Sequence, residues 1–156
     1  MRLTTRTNLA MRVLMVCAVN SGRLVRKFEI AQSCNASENH LAQVINLLST
    51  HGFIHTIRGR AGGLKLARSP EEISVGDVMR AFERGLPVTE CFSPETNTCP
   101  LIEACLFRDA LREALNAFYR VLDGYTLASL TQDNVPLAQI LQLCAPRMTS
   151  ACGARG

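Results

Sequence analysis

Apolar residues along the first half of the chain recur at helical intervals, switch to alternation, and then return to helical spacing. Leu9, Val13, Val16 and Cys17 share one face of a helix expected from about Thr4 to Asn20, ended by Ser21 and Gly22. Val25 to Gln32 predicts a short second helix with Phe28, Ile30 and Ala31 buried. After a tight connection, Ser37 is a good N-cap for a third helix whose core face is Leu41, Val44, Ile45 and Leu48, closed by His51 and Gly52. Phe53, His55 and Ile57 then alternate with Ile54, Thr56 and Arg58. Beyond the glycine-rich stretch Gly59 to Gly63, Leu64 and Leu66 alternate with Lys65 and Ala67, which predicts a β-hairpin. Ser74 caps a helix running to Glu83, and residues 85–102 read as irregular. A helical pattern resumes from about Glu103 to Asp123, with Phe107, Leu111, Ala114, Phe118 and Val121 forming a heptad-like seam. Thr126 opens a short helix, Pro136 a last one, and residues 146–156 read as a frayed tail.

Helix, helix, short turn, helix and two-stranded ribbon is the order of a winged helix-turn-helix. The expected fold is therefore mostly α with a small β-hairpin wing, followed by a long helix suited to dimerisation. The expected division is a DNA-binding domain over 1–84, a cysteine-bearing loop over 85–105, dimerisation and C-terminal helices over 106–145, and the tail. A chain of 156 residues that is 47% hydrophobic can bury a core without cross-links. The longest apolar run near the start, Val13 to Val19, is too short to span a membrane, and Asn8 and Arg12 interrupt a signal-peptide pattern. A cytoplasmic protein is expected.

Charge sharpens this picture through its distribution. Residues 1–68 carry ten Lys/Arg against Glu29 and Glu38, a balance of +8, whereas residues 69–156 carry seven Arg against eleven Asp/Glu, a balance of −4. A basic front half points to a polyanion-binding module with an appended second function. Ser37, Glu38, Asn39, His40 and Gln43 lie off the apolar face of the third helix, at the end that would enter a major groove. Side chains that donate and accept hydrogen bonds there are what base-edge readout requires. Arg58 and Arg60 on the glycine-rich turn, with Lys65 and Arg68 behind them, suit phosphate contacts or a minor groove. The expected partner is double-stranded DNA with a palindromic operator.

Seven cysteines is an odd number, which argues against a fully paired framework. In a reducing compartment, clustered thiols more often bind metal or do redox chemistry. Cys91, Cys99 and Cys105 stand in a C-x7-C-x5-C arrangement without the C-x2-C knuckle or Cys/His tetrad typical of zinc. Widely placed thiolates suit an iron–sulfur cluster, and three of them leave at least one iron to a weaker fourth ligand, as fits a sensor. The bland alternative is three unrelated thiols. Cys17 reads as core packing and Cys34 as structural, while Cys144 and Cys152 receive no role. A redox enzyme using the same cluster is a rival, but the chain has no cofactor fingerprint, no phosphate loop and no acid–base pair. A cluster-free regulator that senses oxidation through thiol–disulfide chemistry is a further one.

The stretches MRLTTRTNLAMRVL, SENHLAQVINLLSTHGFIHTIRGRAGGLKLAR, ISVGDVMRAFE, ECF with NTCPLIEAC, and DALREALNAFYRVLDGYTLASL resemble the iron–sulfur winged helix-turn-helix repressors, the group that includes NsrR, RirA and IscR. The resemblance covers about residues 1 to 143. It implies a homodimer joined by the long helix, a [2Fe–2S] or [4Fe–4S] cluster held in each loop by Cys91, Cys99 and Cys105, and operator binding controlled by that cluster. ENHLAQV and NTCPL are similar to NsrR-type nitric oxide sensors. MRVLMVCAVN and Asn8 are closer to RirA-type regulators of iron and cluster status. In some NsrR-type proteins a carboxylate in the first helix of the partner protomer completes the cluster, and Asn8 holds that place here.

Overall fold

In the computed structural model, residues 3–83 and 88–143 are described. The expectations for residues 144–156, including Cys144, Cys152 and the tail, lie outside the described residues.

Helix α1 spans Thr5–Val19. Thr4 starts it by accepting a hydrogen bond from the Thr7 amide at 3.2 Å. Its Leu9, Ala10, Val13, Leu14, Val16 and Cys17 are all buried, a wider stripe than an amphipathic surface helix needs. The reason is its position as the central post: α3, α4, α6, α7 and the wing all pack on it. Helix α2 is Lys27–Ser33 and helix α3 is Glu38–Thr50, the latter capped by Ser37, whose hydroxyl accepts from the His40 amide at 3.3 Å. The expected core face of α3, namely Leu41, Val44, Ile45 and Leu48, is buried.

Strands β1 (Ile54–Ile57) and β2 (Gly63–Leu66) pair antiparallel, with Ile54 opposite Leu66 and Thr56 opposite Leu64. Ile54 and Leu64 point into the core while His55 and Lys65, also opposite each other, stay exposed. Val25 exchanges two backbone hydrogen bonds with Leu64, at 2.9 and 2.7 Å, and so ties the entry of α2 to the wing. This contact needs glycine beside it, because a Cβ on Gly63 would lie 2.9 Å from the Val25 carbonyl oxygen.

The Val25 bridge also corrects one expectation. Drawn into the sheet, Val25 is not helical, so α2 starts two residues later than predicted and Ile30 alone of its residues is fully buried. Phe28, expected in the core, is 53% exposed.

Helix α4 (Val75–Glu83) follows a 3-10 turn at Pro70–Glu72, and buries Val75, Gly76, Val78 and Met79. Residues 88–105 hold only one further 3-10 turn, Glu90–Phe92, before α5 (Leu106–Asp123). Helix α5 therefore starts at Leu106 rather than Glu103. Arg80 of α4 grips its far end, donating to both Asp123 carboxylate oxygens at 2.7 and 2.5 Å and stacking over Tyr119 at 4.8 Å. Helices α6 (Leu127–Thr131) and α7 (Val135–Leu141) bring the chain back to α1. There the buried Asn20 amide donates to the Val16 and Leu141 carbonyls, both at 2.9 Å, and accepts from the Leu143 amide at 3.0 Å. Every polar group of this buried side chain is thus satisfied.

No residue of α5 is fully buried, although the helix is strongly two-sided. Leu111, Leu115, Phe118 and Leu122 are half-buried, at steps of four, three and four, and so share one side of the helix. Leu106, Phe107 and Val121 are 81%, 69% and 62% exposed, in register with exposed Ala110, Ala114 and Ala117. The predicted seam of Phe107, Leu111, Ala114, Phe118 and Val121 thus divides. Leu111 and Phe118 are half-buried within the protomer, whereas Phe107, Ala114 and Val121 are exposed.

Candidate nucleic-acid interface and cysteine segment

Ser37, Glu38, Asn39, His40 and Gln43 are all exposed, at and beyond the N-terminus of α3. The core face of α3 turns Leu41, Val44 and Ile45 inward, and the 3.6-residue period then leaves these polar positions outside. His40 and Gln43 border a crevice of about 600 Å³ with Thr4, Thr5 and Arg6 of the α1 start. On the other flank of α3, Ala42, Asn46 and Ser49 border a cleft of about 590 Å³ with Arg26, Lys27 and the hairpin. Arg60 lines this cleft, while Arg58 and Lys65 are exposed on the same hairpin. Helix α3 and the wing therefore present one continuous surface, with cationic side chains on either side of the helix.

Arg26 and Lys27 were not singled out from the sequence. Their adjacency just ahead of a helix is the signal that could have found them, since N-terminal helix positions readily face anions. The carboxylates of this half are both neutralised. Glu29 accepts from both terminal nitrogens of Arg23, at 2.9 and 3.2 Å, and from the Arg26 amide at 2.7 Å. Burial opposes its ionisation, but these hydrogen bonds and neighbouring charges outweigh burial and lower its pKa. Glu38 pairs with Lys27 at 3.0 Å across the α2–α3 turn. That pair is exposed on both sides and so contributes little to stability.

The cysteines separate into two kinds. Cys17 and Cys34 are buried in the helix-turn-helix core, and burial, reinforced by the nearby Cys34, pushes the Cys17 thiol up to about 12. Burial likewise raises the Cys34 thiol. Both are thiols at neutral pH and serve as packing. Cys91, Cys99 and Cys105 are free and half-buried along the segment between α4 and α5. Cys91 Sγ lies 2.9 Å from the Thr89 hydroxyl. The Cys99 amide donates to Asn97 Oδ1 at 3.2 Å, and Cys105 is the residue from which α5 starts. Among the described residues, no three His, Cys, Asp or Glu side chains converge closely enough to hold one metal ion. Three unpaired, partly accessible thiols are of the ligand type that iron–sulfur clusters use, although the described residues do not gather them at one point. Asn8 is exposed on α1, beside Arg12, Asn35, Ser37 and His40 around a small crevice.

One further residue was missed. Glu83, the last residue of α4, accepts from the Thr4 amide at 2.9 Å, from the Thr4 hydroxyl at 3.1 Å and from the Thr7 hydroxyl. Helix α1 has no acidic residue in its own first turn, so Glu83 supplies that negative charge from across the fold.

Residues 3–133 match the family described as "Rrf2: Iron-dependent Transcriptional regulator". The chain belongs to the Rrf2 family. It is a DNA-binding transcriptional regulator and not an enzyme. The chain is 43% identical over 143 residues to the HTH-type transcriptional regulator NsrR of Geobacillus kaustophilus, covering 91% of this chain and 97% of that one. It is 41% identical over 146 residues to Protein aau3 of Rhizobium meliloti, covering 94% and 95%. Among solved structures, T. potens IscR superposes with a TM-score of 0.65 at 26% identity, over 85% of this chain and 88% of that one. The winged helix-turn-helix expected from the order of elements is the fold shared with these Rrf2 regulators. No helix among the described residues is long and apolar enough to cross a membrane.

Proposed function

We propose that the protein is a homodimeric repressor whose affinity for a palindromic operator is set by an iron–sulfur cluster, with nitric oxide as its signal. One observation carries this reading. The free thiols of Cys91, Cys99 and Cys105 lie between α4, which closes the helix-turn-helix domain, and α5, whose outer face is apolar and uncovered. Any change in that segment is therefore delivered to the joint between DNA reading and association.

The roles divide as follows. Cys91, Cys99 and Cys105 are the protein ligands, and when bound the cluster supplies iron that reacts with nitric oxide. Asn8 offers only a neutral amide, a poor iron ligand, so the three thiolates carry the site. Leu106, Phe107, Ala114 and Val121 pack against the same face of a second copy, which is the self-complementary contact a two-fold dimer requires. Ser37, Asn39, His40 and Gln43 read base edges, and Glu38 orders the helix start through Lys27. Arg58, Arg60 and Lys65 hold phosphates or the minor groove. A dimer places two copies of α3 at a spacing matched to two half-sites, and the cysteine segment sets that spacing.

Anaerobically purified protein titrated with nitric oxide, and separately with an iron chelator, tests the reading by fluorescence anisotropy on a selected operator duplex. Release at low nitric oxide stoichiometry is the expected result. Release by the chelator alone instead favours a regulator of iron or cluster status, in keeping with the iron-dependent description of the family. Cys99→Ala should lose visible absorbance and regulated binding together. Regulated binding that persists in this variant overturns the proposal.

A further inference from the structure

The cleft between α2, α3 and the hairpin has an unusual wall. Its cations are Arg26, Lys27 and Arg60; no carboxylate lines it, and the exposed Glu38 that pairs with Lys27 at 3.0 Å lies outside its lining. Yet set among those charges are two large apolar side chains left in water, Phe28 at 53% exposure and Ile57 at 44%. Neither is there to fill the core, since Ile30 and Ile54 take the inward positions on the same two elements. Both sit on hydrogen-bonded elements. Val25 bridges β2 just ahead of α2, and Ile57 ends β1 opposite Gly63.

We infer that this cleft is a track for one strand of the duplex backbone, in which Phe28 and Ile57 lie against deoxyribose while Arg26, Lys27 and Arg60 hold the flanking phosphates. The inference rests on the DNA-binding reading of α3 and the wing. With α3 in a major groove and the hairpin tip at the adjacent minor groove, the strand that separates the two grooves must cross the space between them. That space is this cleft. A strand backbone carries anionic phosphates and largely apolar sugars, and the cleft wall offers both cations and exposed apolar side chains. The charge complementarity selects a polyanion, and the apolar pair selects a sugar that lacks a 2′-hydroxyl. A ribose would place a polar group against the phenyl ring with nothing to bond it.

The test uses the full chain and the duplex that it enriches from a randomised pool, beside a scrambled duplex of equal length. Phe28→Ala is expected to bind both about fivefold more weakly, as follows from losing roughly half a phenylalanine's burial. Phe28→Leu should bind almost as wild type, and circular dichroism should show both variants folded. Single ribonucleotides scanned through the flanking strand should weaken wild type at one position and leave Phe28→Ala indifferent there. Unchanged affinity of Phe28→Ala for both duplexes overturns the inference. So does a loss confined to the enriched duplex that disappears when deoxyuridine replaces thymidine, because Phe28 would then be reading a base methyl. Failure of the wild-type chain to bind any duplex would instead remove the DNA-binding reading beneath it.

Discussion

Glu83→Ala removes the carboxylate that joins the end of α4 to the start of α1. Three donors lose their acceptor: the Thr4 amide, the Thr4 hydroxyl and the Thr7 hydroxyl. The Thr4 groups are half-buried and can be rehydrated. Thr7 is fully buried, but its hydroxyl keeps the Thr4 hydroxyl at 2.8 Å. The loss is therefore well below three separate charge-assisted bonds of about 1.5–3 kcal/mol each, and about 2 kcal/mol is expected. For a chain of this length that corresponds to a fall in Tm of about 4–8 °C. Glu83→Gln keeps an acceptor oxygen without the charge and should lose about half as much. The measurement is thermal unfolding by circular dichroism at one fixed protein concentration, because association also raises Tm. A pH series adds a second check. Partial burial opposes ionisation of Glu83, but the hydrogen bonds from Thr7 and Thr4 outweigh it and lower its pKa. A carboxylate with a depressed folded-state pKa contributes fully above its unfolded pKa and loses that contribution as pH falls through the folded one. The gap between wild type and Glu83→Gln should accordingly close below the ordinary carboxylate range. A Glu83→Ala protein melting within about 1 °C of wild type, or a gap that widens on acidification, refutes the reasoning.

Leu48, fully buried on α3, should lose about 2–5 kcal/mol on truncation to Ala, read as a shifted urea midpoint. Phe107→Glu combined with Val121→Glu places charges on the uncovered face of α5 and should yield a folded monomer by sedimentation, with operator affinity reduced and the thiols intact. Arg58→Ala should weaken binding to all sequences and lower the salt slope by about 0.9, whereas Gln43→Ala should relax preference at one base pair with the slope unchanged. Gly63→Ala should loosen the wing from α2, seen as faster amide exchange at Val25 and Leu64, whose mutual hydrogen bonds the added Cβ crowds.

The legible parts of the fold were those with a local periodic signal. The inward faces of α1 and α3 could each be read from a few neighbouring residues, and burial agrees with them; the hairpin was legible as well, but in β1 only Ile54 is buried and Ile57 stays in water. Phe28 could not be placed, because a seven-residue helix has too few turns to define a face and its start depends on the bridge from Val25 to Leu64. Glu83 was invisible for a different reason: its partners Thr4 and Thr7 are nearly eighty residues away in the chain. For the candidate site, the polar start of α3, the arginine turn and the three cysteines announced themselves by residue type and spacing. The lining of the clefts on either side of α3 did not.

Local periodicity and capping thus determined the order and kind of elements, and the segregation of charge set the front half apart as the one expected to meet a polyanion. Tertiary packing alone decided which apolar positions remain uncovered. On α5 the two apolar stripes interleave at steps of three and four, and nothing in the pattern says which will meet α4. Only the tertiary packing leaves Leu111 and Phe118 half-buried and Phe107 and Val121 in water, with α4 joined to the end of α5 through Arg80 and Asp123. The same holds for Phe28 and Ile57, brought to one wall where Val25, just ahead of α2, bridges to Leu64 of the wing.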